Sequence, residues 1–447
     1  MLTPNRRARA RLSRLSGPCV TLALVVALVV ALTSPAHAAH QAPAAAQPAL
    51  TLDEAADLAV ADQPQLRQLD ALADAAREAA VAARQLPDPK LVASVQDLPI
   101  DTATAGSFTR DSDTQLMLGV SQEFPRAEKR RLRGEWGAGE AARIDAEQQL
   151  RQRTLRRDAA LAWLDVWRAA QAQHLAAASA DTARSQLQAL DIALRNGRAT
   201  QAEFLAMRVE IGQLDDAVHA ADQAMRHAQI RLGRWIGAAS ATRPAAALPA
   251  MPTDMTAPSV RAGLARHPRL ALTAIDIDQA HTATAIARAE FLPDWRVEVG
   301  YGHRPAFSDM ATVRVGIDLP LFTRKRQSRG LAAALARSGA SVATRDDTVR
   351  ELDSAALSAL HDWHELGARL RAYDATLLPQ SAARIEAARL GWRSGRGSLR
   401  EVLDARRAAL DVRLARLELE RARFEACVQL RYYGACATPA IPETIHE

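Results

Sequence analysis

Aromatic residues make up only 4% of the 447 residues, and cysteine occurs three times, at Cys19, Cys427 and Cys436. With so few cysteines the chain is not a disulfide-stapled scaffold, and the spacing of Cys427 and Cys436 is not the C-x-x-C of a zinc or redox site. Those two can form a local disulfide if the chain reaches an oxidising compartment. Catalytic signatures are missing too: there is no G-x-S-x-G, no H-E-x-x-H, no dinucleotide fingerprint and no Walker loop. Gly395-Arg396-Gly397 is a turn and not a phosphate cradle, because no Lys-Ser/Thr pair follows it. These absences point away from an enzyme, and they leave no cofactor and no metal site to expect. His361, His364 and Glu365 have the spacing of a helical metal pair, but two or three donors on one helix face are more simply a solvated surface.

Long hydrophobic runs are lacking as well. The longest, residues 20–32, is too short to span a bilayer as a helix, which takes roughly 20 residues. Five arginines precede it and Ala36-His37-Ala38 follows it, so residues 1–38 read as a cleaved export signal, with a retained anchor as the alternative. Setting aside the charge of those arginines brings the formal net charge from +6 to +1. A near-neutral body poor in aromatics has no electrostatic footprint for nucleic acid.

What is present is a sequence written twice. Gly197, Arg198, Glu203, Leu205 and Arg208 return as Gly395, Arg396, Glu401, Leu403 and Arg406. Leu86-Pro87-Asp88 answers Leu292-Pro293-Asp294, and Gly119-Val120 answers Gly316-Ile317. The chain therefore divides into residues 39–236 and 259–433 as two structural repeats, 237–258 as an Ala/Pro-rich linker, and 434–447 as a tail.

Each repeat opens with an Ala-rich helical stretch. Two segments of apolar/polar alternation follow, placing β-hairpins within 89–124 and 294–321. A long helical tract comes next. The first covers residues 126–196, on the order of 105 Å of helix. Gly134, Gly137 and Gly139 should weaken its start, and Pro379 should kink its counterpart. Leu403, Leu410, Leu417 and Phe424 recur every seven residues, a coiled-coil seam. Trp163 and Trp167 are spaced to pack in a helical wall. The strands are long enough to cross a membrane when tilted, although two amphipathic hairpins also suit the half-buried sheet of a soluble domain. In lipid only a closed barrel is allowed, and four strands cannot close.

In this order the motifs resemble the TolC-like outer-membrane efflux proteins. The resemblance rests on Gly119-Val120-Ser121-Gln122-Glu123-Phe124-Pro125, on Asp318-Leu319-Pro320-Leu321-Phe322 and on the run from Ser394 to Ala405. The Gln-Glu-Phe-Pro segment and Lys129-Arg130-Arg131 are most similar to the heavy-metal branch. The resemblance implies a mainly α fold of duplicated coiled-coil hairpins forming a periplasmic tunnel. Two β-hairpins would give four strands to the transmembrane barrel of a homotrimer. It also implies a passive efflux channel in the outer membrane, docked to a periplasmic adaptor and to an inner-membrane pump of the resistance-nodulation-division type. The alternatives are a coiled-coil periplasmic adaptor and an outer-membrane duct for type I protein secretion.

By the same resemblance, Glu401 and Asp404 line the tunnel-entrance constriction, with Glu203 as the acidic position of the other half. Gly197, Arg198, Gly395 and Arg396 form the periplasmic tip turns that meet the adaptor. Gly397 and Trp392 depart from the family pattern, which carries arginine and tyrosine at those places, so Arg396 or Arg400 is expected to take over closing contacts.

Overall fold

A computed structural model describes residues 48–436 apart from Thr102, Thr253 and Ala306. The export signal and most of the C-terminal tail lie outside the described residues. The first repeat runs α1 (Leu52–Ala61), α2 (Pro64–Ala83), β1 (Lys90–Gln96), β2 (Gln115–Phe124), α3 (Ala127–Arg195) and α4 (Gln201–Ile236). A one-turn helix, α5 (Ala238–Ala241), begins the connection to α6 (Ala257–Leu264). The second repeat continues with α7 (Pro268–Ala289), β3 (Asp294–His303), β4 (Met310–Asp318), α8 (Gln327–Ala372), α9 (Leu378–Arg393) and α10 (Leu399–Tyr432). Helix α3 alone has 69 residues, about 104 Å of rise. No described helix is long and apolar enough to cross a membrane.

The three glycines at the base of α3 do not weaken it, contrary to the reading from propensity. The helix runs through them unbroken. A Cβ on Gly137 would lie 2.7 Å from the Ala80 Cβ of α2, and one on Gly139 would lie 3.2 Å from the Gln279 amide of α7. Their bareness lets α2 and α7 approach α3, and burial on both flanks offsets the propensity cost.

The expected kink at Pro379 takes a specific form. The turn ahead of it, Tyr373–Leu377, is a π-helix, and Pro379 then sits in the first turn of α9, where its missing N–H is harmless. Asp374 in this wide turn accepts a 2.6 Å hydrogen bond from Arg416 Nε of α10.

Three apolar clusters hold the helices together. The first gathers Trp163, Trp167, Leu232, Leu417 and Phe424 around Leu50, whose carbonyl accepts from Trp163 Nε1 at 2.9 Å. The second joins Val260, Leu264, Leu352, Trp363 and Leu430. The third, at the far end of the long helices, packs Leu190 and Met207 of the first repeat against Leu399, Val402 and Leu403 of the second. Leu403, Leu417 and Phe424 of the heptad series are buried, and Leu410 is half-buried.

Cys427 and Cys436, left open by the sequence as a possible disulfide, are free thiols in this structure. They share a hydrogen bond, which together with burial holds the Cys427 thiol protonated. Cys436 is buried within the second cluster.

His267 caps the start of α7, its Nδ1 accepting from the Arg269 N–H at 3.2 Å, and its ring is fully buried against Tyr432. Burial, with Arg153 and Arg269 nearby, pushes the imidazole down to about 4. The unfolded chain binds a proton near pH 6.5 that the folded chain refuses until about 4. Stability is therefore whole above pH 6.5 and falls as pH drops towards 4, by roughly 3 kcal/mol in all. The melting midpoint of detergent-solubilised protein should drop between pH 7 and pH 4.5, and a His267→Gln variant should lose most of that slope.

Candidate functional site

Two regions answer to the expected functions, the sheet and the opposite end of the long helices. The strands form one antiparallel sheet in the order β1-β2-β3-β4. The two hairpins are thus not separate. They join through β2 and β3, with Gly119 opposite Gly300 and Phe124 opposite Trp295. Gly119 is needed there, since a Cβ would come within 2.9 Å of the Val299 carbonyl.

Because side chains alternate along each strand, the register sorts the sheet into two chemically different faces. Leu91, Leu118, Val120, Val299, Tyr301 and Val313 share one face and all are exposed. The other face carries Lys90, Glu123, Arg296, Glu298 and Arg314. There Lys90 pairs with Glu123 at 2.8 Å and Arg314 with Glu298 at 2.9 Å. An apolar face left open to the surroundings and a charged face opposite it match the lipid and lumen sides of a transmembrane β-barrel. Neither edge strand, β1 nor β4, has a second neighbour in the sheet.

Lys129, near the start of α3, fixes the sheet to the helices. Its ammonium is almost fully buried, donating to the Leu292 carbonyl at 2.9 Å and to Asp294 Oδ2 at 2.8 Å. Arg126 adds its backbone N–H to Asp294 Oδ1 at 3.0 Å.

At the far end, the duplicated glycines make the same turn twice. Gly197 (φ 67°) and Gly395 (φ 70°) are left-handed. The next N–H in each case reaches back five residues: Arg198 to the Ala193 carbonyl at 2.8 Å, and Arg396 to Gly391 at 2.9 Å. This is the glycine-terminated helix end that satisfies orphan carbonyls. Thr200 then caps α4, and Ser398 caps α10. Arg198 and Arg396 are exposed, with no side-chain partner among the described residues.

The three candidate acids divide. Glu401 and Asp404 lie together on the exposed face of α10, as their spacing requires. Gly397 leaves the room that Glu401 uses, because a Cβ there would sit 2.9 Å from the Glu401 carboxylate. Asp404 faces Arg400 at 3.9 Å, a pair so exposed that it contributes little. Glu203 is committed elsewhere. It closes the capping box on the Thr200 N–H at 2.8 Å and accepts from Trp392 Nε1 of α9 at 3.0 Å. The Thr200 backbone bond, with the indole beside it, holds this carboxyl below the usual carboxylate range. Trp392 thus ties one tip turn to the other, a role no spacing rule announces. Nor did any motif mark Glu210, a buried carboxylate of α4 that accepts from Arg407 of α10. His361 and His364 are exposed on α8, and the His364 Nε2 lies 3.2 Å from the Met255 carbonyl.

Residues 260–433 match the family described as outer membrane efflux protein. These residues are the second repeat. The proteins the chain resembles include the cobalt-zinc-cadmium resistance protein CzcC of Cupriavidus metallidurans, 25% identical over 411 residues that span 86% of this chain and 92% of CzcC. Among solved structures, a membrane protein from Pseudomonas aeruginosa superposes with a TM-score of 0.73 at 17% identity, over 86% of this chain and 92% of the other. CusC gives 0.72 at 17% identity over 86% and 92%. The open-state MtrE outer membrane channel of Neisseria gonorrhoeae gives 0.65 at 20% identity over 86% and 88%. At these identities the likeness is one of fold, and it extends through both repeats. The description of the matched family places its members in the outer membrane.

Proposed function

We propose that this chain is the outer-membrane duct of a tripartite efflux system and works as a homotrimer. The observation that carries the reading is the four-stranded sheet, with one face apolar and exposed, the other charged, and both edges open. Closed single-chain barrels begin at about eight strands, so this sheet closes only with other copies. Three copies would supply twelve strands. Helices of about 100 Å then extend into the periplasm as a tunnel wall. Passage is passive; the energy comes from an inner-membrane pump, of the resistance-nodulation-division type, reached through a periplasmic adaptor. Residues 1–38 serve as the export signal, 237–258 as the linker between repeats, and 434–447 as the tail.

The tip turns at Gly197-Arg198 and Gly395-Arg396 are the adaptor-docking surface on this reading, supported by their exposure and their unpaired guanidinium groups. Glu401 and Asp404 ring the entrance, six carboxylates in a trimer, favouring cations over anions. The likeness to the cobalt-zinc-cadmium resistance protein of Cupriavidus supports divalent metal ions as cargo. Duplication of the whole mature chain, hairpins included, disfavours an adaptor. Native mass spectrometry in detergent should give three chains per particle, and a folded monomer in membranes would refute the duct. In planar bilayers under asymmetric salt, Glu401→Ala/Asp404→Ala trimers should lose cation preference. Unchanged selectivity would remove the two acids from the entrance.

A further inference from the structure

We infer that each seam between neighbouring copies repeats, residue class for residue class, the seam that joins the two repeats inside one chain. In particular, the neighbour's Asp88 is held by the basic run Arg324-Lys325-Arg326. The inference rests on the trimeric reading and adds to it where and how the copies recognise one another.

The internal seam has two parts. At the sheet, β2 pairs with β3, and just beyond it the buried Lys129 grips Asp294 at the head of β3. Along the helices, α3 packs against α2 of its own repeat on one flank and α7 of the other repeat on the second. The duplication supplies counterparts for every member. Asp88 corresponds to Asp294, both closing a Leu-Pro-Asp triplet ahead of a strand. Setting Gly119 on Gly316 sets Lys129 on Arg326. The strand ladders, in which Leu91 faces Val120 and its counterpart Val297 faces Val315, set Lys129 on Arg324. Either correspondence lands in the same basic run, and both preserve which face of the sheet each residue occupies.

Within the chain these counterparts cannot meet as Lys129 and Asp294 do, because β1 and β4 are at opposite edges of the sheet. Accordingly Asp88, Arg324, Lys325 and Arg326 are exposed, and none has a side-chain partner among the described residues. The helices tell the same story. Helix α8, the counterpart of α3, packs on α7 of its own repeat but keeps Leu335, Val342 and Val349 open at seven-residue steps, each more than 40% exposed. Helix α2, the counterpart of α7, keeps Leu72 and Val81 open at 47% and 58%. An apolar stripe on one edge, an apolar flank on the other, and opposite charges beneath each fit a second copy of this chain and close on themselves by rotation.

The test uses full-length trimers in a Cys427→Ser/Cys436→Ser background. Asp88→Cys paired with Arg324→Cys, and separately with Arg326→Cys, should give covalent dimers and trimers on non-reducing gels after oxidation. Asp88→Cys with Arg131→Cys should not. Asp88→Arg should lower the temperature at which the trimer dissociates in SDS, and adding Arg324→Asp/Arg326→Asp should restore it. Particles of three chains by native mass spectrometry, without cross-links at either pair and without a shift in dissociation temperature, would overturn this seam while leaving the duct intact. Particles of one chain would overturn both.

Discussion

Arg407→Leu is expected to loosen the tunnel tip by about 3 kcal/mol, the lower end of the cost of stranding a buried charge. Glu210 is 4% exposed on α4, and Arg407 of α10 both donates to it and reaches Gln213 Oε1 at 2.6 Å. Half of the Arg407 side chain is in solvent, so leucine itself is tolerated; the damage is the carboxylate left without its cation. Glu210→Leu/Arg407→Leu should recover most of the loss, because two apolar groups replace a pair that cost desolvation to bury. Amide exchange in α4 and α10 reads the effect directly, faster in the single variant and near wild type in the double one. Bilayer conductance should follow in the same order, since on the proposed reading the pair joins the two repeats beside the entrance.

Lys129→Met is expected to cost more, roughly 3–5 kcal/mol. It removes the ammonium that satisfies the Leu292 carbonyl and balances Asp294 where little water enters. Adding Asp294→Asn should relieve part of the penalty by removing the stranded charge, though not the orphaned carbonyl. The readout is the yield of heat-modifiable trimer in the outer membrane together with its melting midpoint. A Lys129→Met protein that assembles and melts like wild type would show that Arg126 alone carries the junction.

Much of this architecture was legible because it is periodic. Alternation along β2 and β3 announced strands, the Gly197 and Gly395 blocks announced matching reversals, and Trp163 fell in the core where its spacing put it. What escaped was decided by partners distant in the chain. Pairing of β2 with β3 joins residues of different repeats, and period-two patterning says nothing about which strand lies alongside. Gly134, Gly137 and Gly139 looked like flaws in a helix because propensity considers one helix at a time, whereas α2 and α7 press against that spot. The same blindness hid the tip. Glu203 and Glu401 are equivalent in the repeat, yet one meets the Trp392 indole and the other meets none. The cysteines were close enough for a bridge by sequence and settle into a thiol hydrogen bond.

The wide turn at Tyr373–Leu377 sets the phase of everything beyond it. Along α8 and into the turn the covered positions advance by three or four, through Trp363, Gly367, Leu370 and half-buried Tyr373. They then jump five residues to Leu378 and resume through Ser381, Ile385, Ala388 and Trp392. Without that surplus residue, the whole of α9 would be swung by about 100° around its axis. Trp392, about 20 Å further along, would then point away from Glu203. The clasp between the two tip turns is thus timed from a distance, by a helix that counts one residue too many before it arrives.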